Sequence, residues 1–144
     1  MQNPFSSNQP IISPDRFYGR QGDIRRIYAR IGAERPQSVS IVGEQSMGKS
    51  SLLNILAHPE TKLENLSGHE KCVLGLLHLR DRDDWLPDKF LQALTNAFRS
   101  ENSDLPEVSD YDQFRELIKN LNSEEISVVA FFDDFEVITQ NPDF

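Results

Sequence analysis

Two apolar runs set the fold class. Cys72–Leu79 reads CVLGLLHL and Ile126–Phe132 reads ISVVAFF, each nearly continuous where a half-exposed strand would alternate polar with apolar residues. Continuous runs of this length suit strands covered on both faces, as in a parallel sheet whose crossover helices lie on either side. The intervening chain carries helical spacing. Ile24, Ile27, Tyr28 and Ile31 recur at i, i+3, i+4 and i+7, with Gly32 as a stop. Lys49–Ala57, KSSLLNILA, reads as a helix ended by Pro59. Phe90, Leu91, Leu94, Ala97 and Phe98 mark another helix, and Tyr111, Phe114, Leu117, Ile118 and Leu121 a further one. Ser38–Val42, SVSIV, is a short β-branched run leading into Gly43 and is expected to be a strand. The alternation is that of an α/β chain built on a parallel sheet.

With 144 residues and 16.5 kDa, the chain is the size of one domain. Folding would take its accessible surface from roughly 24,000 Å² to roughly 7,600 Å², enough for a real core without metal or disulfide. The net charge of −8 gives no overall pull toward nucleic acid or anionic membrane, so any phosphate must be held by a local site. Cys72 is alone, which forbids an intrachain disulfide, and reads as a small buried hydrophobe. The apolar runs are too short to cross a bilayer. MQNPFSSNQP has neither the basic start nor the apolar core of a secretory signal, so a cytoplasmic protein is expected. Residues 1–16, rich in Pro, Ser and Asn, read as an extended arm; a polar, Gly-containing connector precedes Cys72, and ENSDLPEVSD reads as a loop.

Gly43-Glu44-Gln45-Ser46-Met47-Gly48-Lys49-Ser50 matches the phosphate-loop pattern G-x-x-x-x-G-K-[ST] at every fixed position. Gly43 and Gly48 permit backbone angles that turn successive N–H groups around an oxyanion. Lys49 brings positive charge to the β- and γ-phosphates, and the Ser50 hydroxyl can ligate Mg²⁺. The helix beginning at Lys49, with Ser50 and Ser51 in its first turn, points its positive dipole end at the phosphates. The pattern arises by chance in roughly one chain of this length in a few hundred, and here it lies between an expected strand and an expected helix.

The second apolar run ends in Asp133-Asp134. Ligands of open parallel sheets bind outside the carboxyl ends of the strands. There Asp133 would hold Mg²⁺ together with Ser50, and Asp134 would orient or deprotonate an attacking water. Two adjacent acids alone are weak; after a buried strand and alongside a phosphate loop they form a pair of motifs.

Phe17–Ile27 (FYGRQGDIRRI), Ser40–Leu56 (SIVGEQSMGKSSLLNIL) and Val128–Glu136 (VVAFFDDFE) resemble the P-loop NTPases of the AAA-like kind, more narrowly the STAND ATPases and their origin-recognition-type relatives. The resemblance implies a three-layer α/β/α P-loop domain with a parallel sheet, ending after the acidic (Walker B) strand. Residues 1–16 would be an arm, and 17–144 the N-terminal part of the ATPase domain. It implies ATP or ADP and Mg²⁺ as ligands, with Gly43, Gln45, Ser46, Met47, Gly48, Lys49, Ser50 and Ser51 around the phosphates. Ser50 and Asp133 would hold the metal, and Lys49 and Asp134 would act in catalysis. By the same likeness Phe17, Tyr18 and Gly19 would border the base, with Arg20 near it or capping a neighbouring helix. On the residues alone, Phe17 and Tyr18 serve equally as hydrophobic packing. Gln21 stands where these families have an acid. Asp134 stands where many have Glu; one methylene less draws the carboxylate back by roughly 1.5 Å and favours slow hydrolysis, as in a switch. Glu136, two residues on in an extended stretch, would face the same side.

The expected role is a nucleotide-switch module of a STAND-like signalling or defence regulator. The alternatives are an origin-recognition-like ATPase acting on DNA, whose basic helix-turn-helix is not in these residues, and a non-hydrolysing nucleotide-binding scaffold module. Expected partners are the nucleotide, a C-terminal remainder of the same protein and, within the resemblance, a nucleotide-dependent oligomer; membrane and direct nucleic-acid contacts are not expected. The chain stops at Phe144, soon after Asp134. In these families a later strand separates the phosphate-loop strand from the acidic one, and the alternative is direct pairing of those two strands. No N-K-x-D motif favours guanine, Thr61-Lys62-Leu63-Glu64 being nearest. His58, His69 and His78 lack metal-like spacing and read as surface or core histidines. Arg80–Asp84 reads as a solvated loop and Trp85 as an anchor for the next helix. Dinucleotide, nucleophile-elbow and zinc patterns are absent.

Overall fold

The computed structural model describes residues 9–44, 47–81, 84–142 and 144, which hold helices and two strands. The elements are α1 (Gln21–Ile31), α2 (Lys49–Leu56), α3 (Pro59–Asn65), β1 (Cys72–His78), α4 (Pro87–Glu101), α5 (Tyr111–Ser123), β2 (Ser127–Asp133) and α6 (Glu136–Thr139). Single 3₁₀ turns occur at Pro14–Arg16, His69–Lys71 and Leu79–Asp81. The chain is α/β, and its sheet among the described residues is one parallel pair, β1 with β2, in register from Cys72 opposite Ser127 to His78 opposite Asp133. It divides into two units, Met1–His69 and Glu70–Phe144.

In the first unit α1 buries Ile24, Ile27 and Tyr28, the stripe its spacing predicts. The Tyr28 hydroxyl donates to the Leu56 carbonyl at 2.5 Å, satisfying one of the acceptors that every helix leaves open at its C-terminal end. Gly32 follows α1 at φ −86°, so its left-handed freedom is unused; a Cβ there would lie 2.9 Å from the Leu66 side chain, and closeness is what requires glycine. Pro59 does not simply end α2. The His58 ring accepts from the Glu60 N–H, and Pro59 takes the first position of α3, where its missing N–H costs nothing. The polar connector therefore holds a helix.

Ser38–Val42 corrects a second expectation. These residues form no strand, and Val42 is 91% exposed. β-Branched residues favour a pleated, half-buried surface rather than an extended backbone by themselves. Without a ladder partner among the described residues the run forms no strand, so neither of the two expected placements of a phosphate-loop strand is realised there.

The second unit is built on the strand pair. Val73 of β1 with Val128, Ala130 and Phe132 of β2 packs against Leu94 and Phe98 of α4 and Leu117 and Leu121 of α5, as their spacings predict. Gly75 permits the approach of α4: a Cβ there would lie 2.7 Å from Phe98 and 3.3 Å from Ala97. On β1, the Leu74 N–H donates to the Glu101 carboxylate of α4, which covers a strand-edge donor. At the strand starts Lys71 and Glu125 pair at 2.7 Å. Their hydrogen bond, and then their opposite charges, hold Lys71 above and Glu125 below the ordinary values. Trp85 is 2% exposed and donates its indole N–H to the Leu79 carbonyl at 2.8 Å, tying the start of α4 to the end of β1 as expected. Among the described residues no helix is long and apolar enough to cross a membrane.

Gly75→Ala should cost about 1–3 kcal/mol, because the added methyl overpacks against Phe98. Gly22→Ala, in α1 with open space around it, should stabilise by about 0.5–1 kcal/mol. Urea denaturation of both variants measures the contrast, and a Gly75→Ala midpoint at or above the parent's would refute the close approach.

Candidate functional site

The two motif regions lie in different units, and each has its own geometry. In the first unit Gly48 adopts φ +76° as the residue before α2, a left-handed turn that glycine takes without Cβ penalty. Gly43 is not at positive φ; a Cβ there would lie 3.3 Å from the Met47 sulfur, so of the two glycines only Gly48 uses the backbone freedom expected of both. The N-cap of α2 is Gly48, which has no side chain to offer, and among the described residues no side chain is seen to cap the first-turn N–H groups at Lys49, Ser50 and Ser51. The Lys49 ammonium folds back into its own loop and donates to the Gly43 carbonyl at 2.9 Å and the Glu44 carbonyl at 2.7 Å. Met47 is exposed, and its carbonyl accepts from Arg20 Nη1 at 3.3 Å. Gln45 and Ser46 lie outside the described residues.

Arg20 thus stands at the loop. It also pairs with Asp23 at 3.3 Å, across the first turn of α1. Phe17 is buried, whereas Tyr18 is 78% exposed. Phe17 also lines a cleft of about 250 Å³ with Pro14, Gln21, Ile24, Ile55 and Asn65 among its walls.

In the second unit β2 ends at Asp133, which is 8% exposed, and the chain turns at Asp134 through φ +56°. The parallel register sets His78 beside Asp133, and the His78 Nδ1 lies 3.2 Å from Asp133 Oδ2. Since a carboxylate only accepts, that nitrogen carries the proton in this contact. Arg80 donates to Asp134 Oδ1 at 3.1 Å and stands 3.7 Å from Glu136. One guanidinium therefore faces both carboxylates. Glu136 begins α6 rather than continuing an extended stretch; its placement beside Asp134 comes from the left-handed turn, not from strand alternation.

His78 and Arg80 belong to this cluster, although the sequence reads them as a surface or core histidine and as part of a solvated loop. His78 was discoverable from register, as the end of the first apolar run opposite the end of the second. Arg80 was not, because its loop carries charges of both signs; Arg82 and Asp83 lie outside the described residues. Among those described, no group of three or more His, Cys, Asp or Glu side chains is arranged to hold a metal by itself.

Asp134→Gly and Asp134→Ala both lose the Arg80 contact, but only glycine accepts the left-handed turn freely. The glycine variant should be more stable than the alanine variant by about 1–2 kcal/mol, read as the difference in denaturation free energy. Equal stabilities would show that the turn carries no strain. Comparison with protein-family models, with curated proteins and with solved structures finds no match for this chain.

Proposed function

We propose that this chain is a Mg²⁺-dependent, ATP-binding P-loop module that acts as a nucleotide switch, the role its three motif stretches share with STAND-like ATPases. The observation that carries the reading is the Gly48–Lys49–Ser50 corner: a left-handed glycine, an uncapped helix start, and an ammonium held by the carbonyls of its own loop. Such a corner would offer N–H donors and one positive charge to a phosphate. Ser50 is the proposed Mg²⁺ ligand at this corner, with phosphate oxygens and water completing the shell, since Mg²⁺ takes few protein ligands. Magnesium would neutralise phosphate charge, and Phe17 and Tyr18 would border the base. The proposed architecture is the three-layer α/β/α P-loop fold, in which the β1–β2 pair forms part of a larger sheet.

A second reading, nucleotide binding without appreciable hydrolysis, is favoured by one observation. Asp134, the proposed water-activating group, is engaged by Arg80. The oxygen that accepts from the guanidinium is already occupied and is not free to orient a water.

Mg²⁺-ATP at one hundred times its dissociation constant should stabilise the protein by about 2.7 kcal/mol, because a ligand bound only by the folded state shifts unfolding by mass action. Lys49→Ala should abolish that shift, and GTP should give a smaller one than ATP. Equal stabilisation of variant and parent, seen by thermal melting, would sink the phosphate-loop assignment.

Phosphate release separates switch from scaffold. Asp134→Asn keeps the side-chain shape and tolerates the left-handed turn. Loss of a slow parental turnover, with ATP binding retained, supports hydrolysis through Asp134. No turnover in either protein, with binding intact, supports the scaffold reading.

A further inference from the structure

The N-terminal arm meets α2 through the backbone of one residue. The Ile11 N–H donates to Ser51 Oγ at 2.9 Å, and Asn54 Nδ2 donates to the Ile11 carbonyl at 3.4 Å. Ser51 and Asn54 are three residues apart and share a helix face, so both backbone groups of Ile11 are answered side by side, much as a neighbouring strand would answer them. All three residues are partly buried, while the next residue of the arm, Ile12, is 72% exposed. The arm is held at this point by polar groups more than by apolar burial.

Ser51 lies in the first turn of α2, directly after Lys49 and Ser50. A serine hydroxyl has one proton and two acceptor lone pairs. The Ile11 N–H takes a lone pair, so in this contact the hydroxyl is the acceptor and its proton is not spent on the arm. A hydroxyl that already accepts a hydrogen bond is also a stronger donor. The second clasp, from Asn54, keeps Ile11 in register so that this orientation is held.

We infer that Ile11 is a positioning residue for the phosphate loop, orienting the Ser51 hydroxyl as a donor toward phosphate oxygens at the start of α2, so that arm docking and nucleotide binding reinforce each other. This rests on the phosphate-binding reading above. Reinforcement is reciprocal: whatever factor the docked arm adds to nucleotide affinity, bound nucleotide adds to arm docking.

The test uses the full chain, with Mg²⁺-ATP affinity measured by titration calorimetry and amide exchange of the 9–16 segment by mass spectrometry. Ile11→Pro removes the N–H and keeps an apolar side chain. It should weaken ATP binding by about three- to tenfold, the worth of one net hydrogen bond. Asn54→Ala, which leaves the N–H bond but loosens its register, should weaken binding in the same direction by a smaller factor. In the parent, ATP should slow exchange at the Ile11 amide, and adenosine, which has no phosphate, should not. A merely structural clasp would respond to neither. Parental ATP affinity in both variants, or an Ile11 amide indifferent to ATP in a parent that binds it, overturns the inference and leaves the phosphate-binding reading standing. Should Ile11→Pro fail to fold, Asn54→Ala and the exchange response decide alone. A parent that does not bind ATP at all removes the underlying reading and the inference with it.

Discussion

The parallel pairing of β1 with β2 organises everything else in the second unit. A parallel neighbour cannot be reached by a tight turn, so the chain must leave the end of β1 and return to the start of β2 over a long crossover. Here α4 and α5 make that crossover, and the face they cover is the one that carries Val73, Val128, Ala130 and Phe132. Gly75 follows from the same demand, since α4 lies so close that a methyl on the strand would meet Phe98. The register that begins with Cys72 opposite Ser127 ends with His78 opposite Asp133. Burying the apolar residues in this alignment therefore also sets a histidine against the first acid of the pair, with Asp134 and Arg80 just beyond.

The two ends of this strand pair are treated differently. At the start, Lys71 and Glu125 form an exposed pair, the kind that contributes little to stability and is screened by salt. At the finish, Asp133 is nearly buried and answered by His78, while Asp134 takes a left-handed backbone and is answered by Arg80. Charge is thus concentrated, and paired, where an open parallel sheet presents its ligand-facing edge. Asp133 keeps a carboxylate oxygen outside the His78 contact, whereas Asp134 must share itself with a guanidinium.

The first unit places the proposed phosphate-loop lysine at the head of α2. Left alone, a lysine ammonium would be fully hydrated, but Lys49 bonds two carbonyls of its own loop. Gly48 supplies the reversal that puts Lys49 at the head of α2. Tyr28 and Ile11 then brace the helix at its two ends, one answering the Leu56 carbonyl and the other the Ser51 hydroxyl. The braces come from segments before the loop, so the helix that presents the loop depends on chain far from it in sequence.

Much of this was readable in one dimension. The spacing of Ile24, Ile27 and Tyr28, of Leu94 and Phe98, and of Leu117 and Leu121 is a local consequence of 3.6 residues per turn, so it survives in any context that offers an apolar surface. Continuous runs at Cys72 and Ile126 announced two strands that pair in parallel, and the G-x-x-x-x-G-K-S string announced the left-handed Gly48. What the sequence could not determine was whatever needed a partner distant along the chain. Ser38–Val42 has the composition of a strand yet forms none among the described residues, because a strand is completed by hydrogen bonds that its own residues do not contain. Pro59 reads as a stop or a start depending on whether the preceding residue caps the next turn. The neighbours of Asp133 and Asp134 came only from register and from a turn at φ +56°. Periodicity is written in the order of the residues; pairing is decided when two distant stretches must satisfy each other's polar groups out of water.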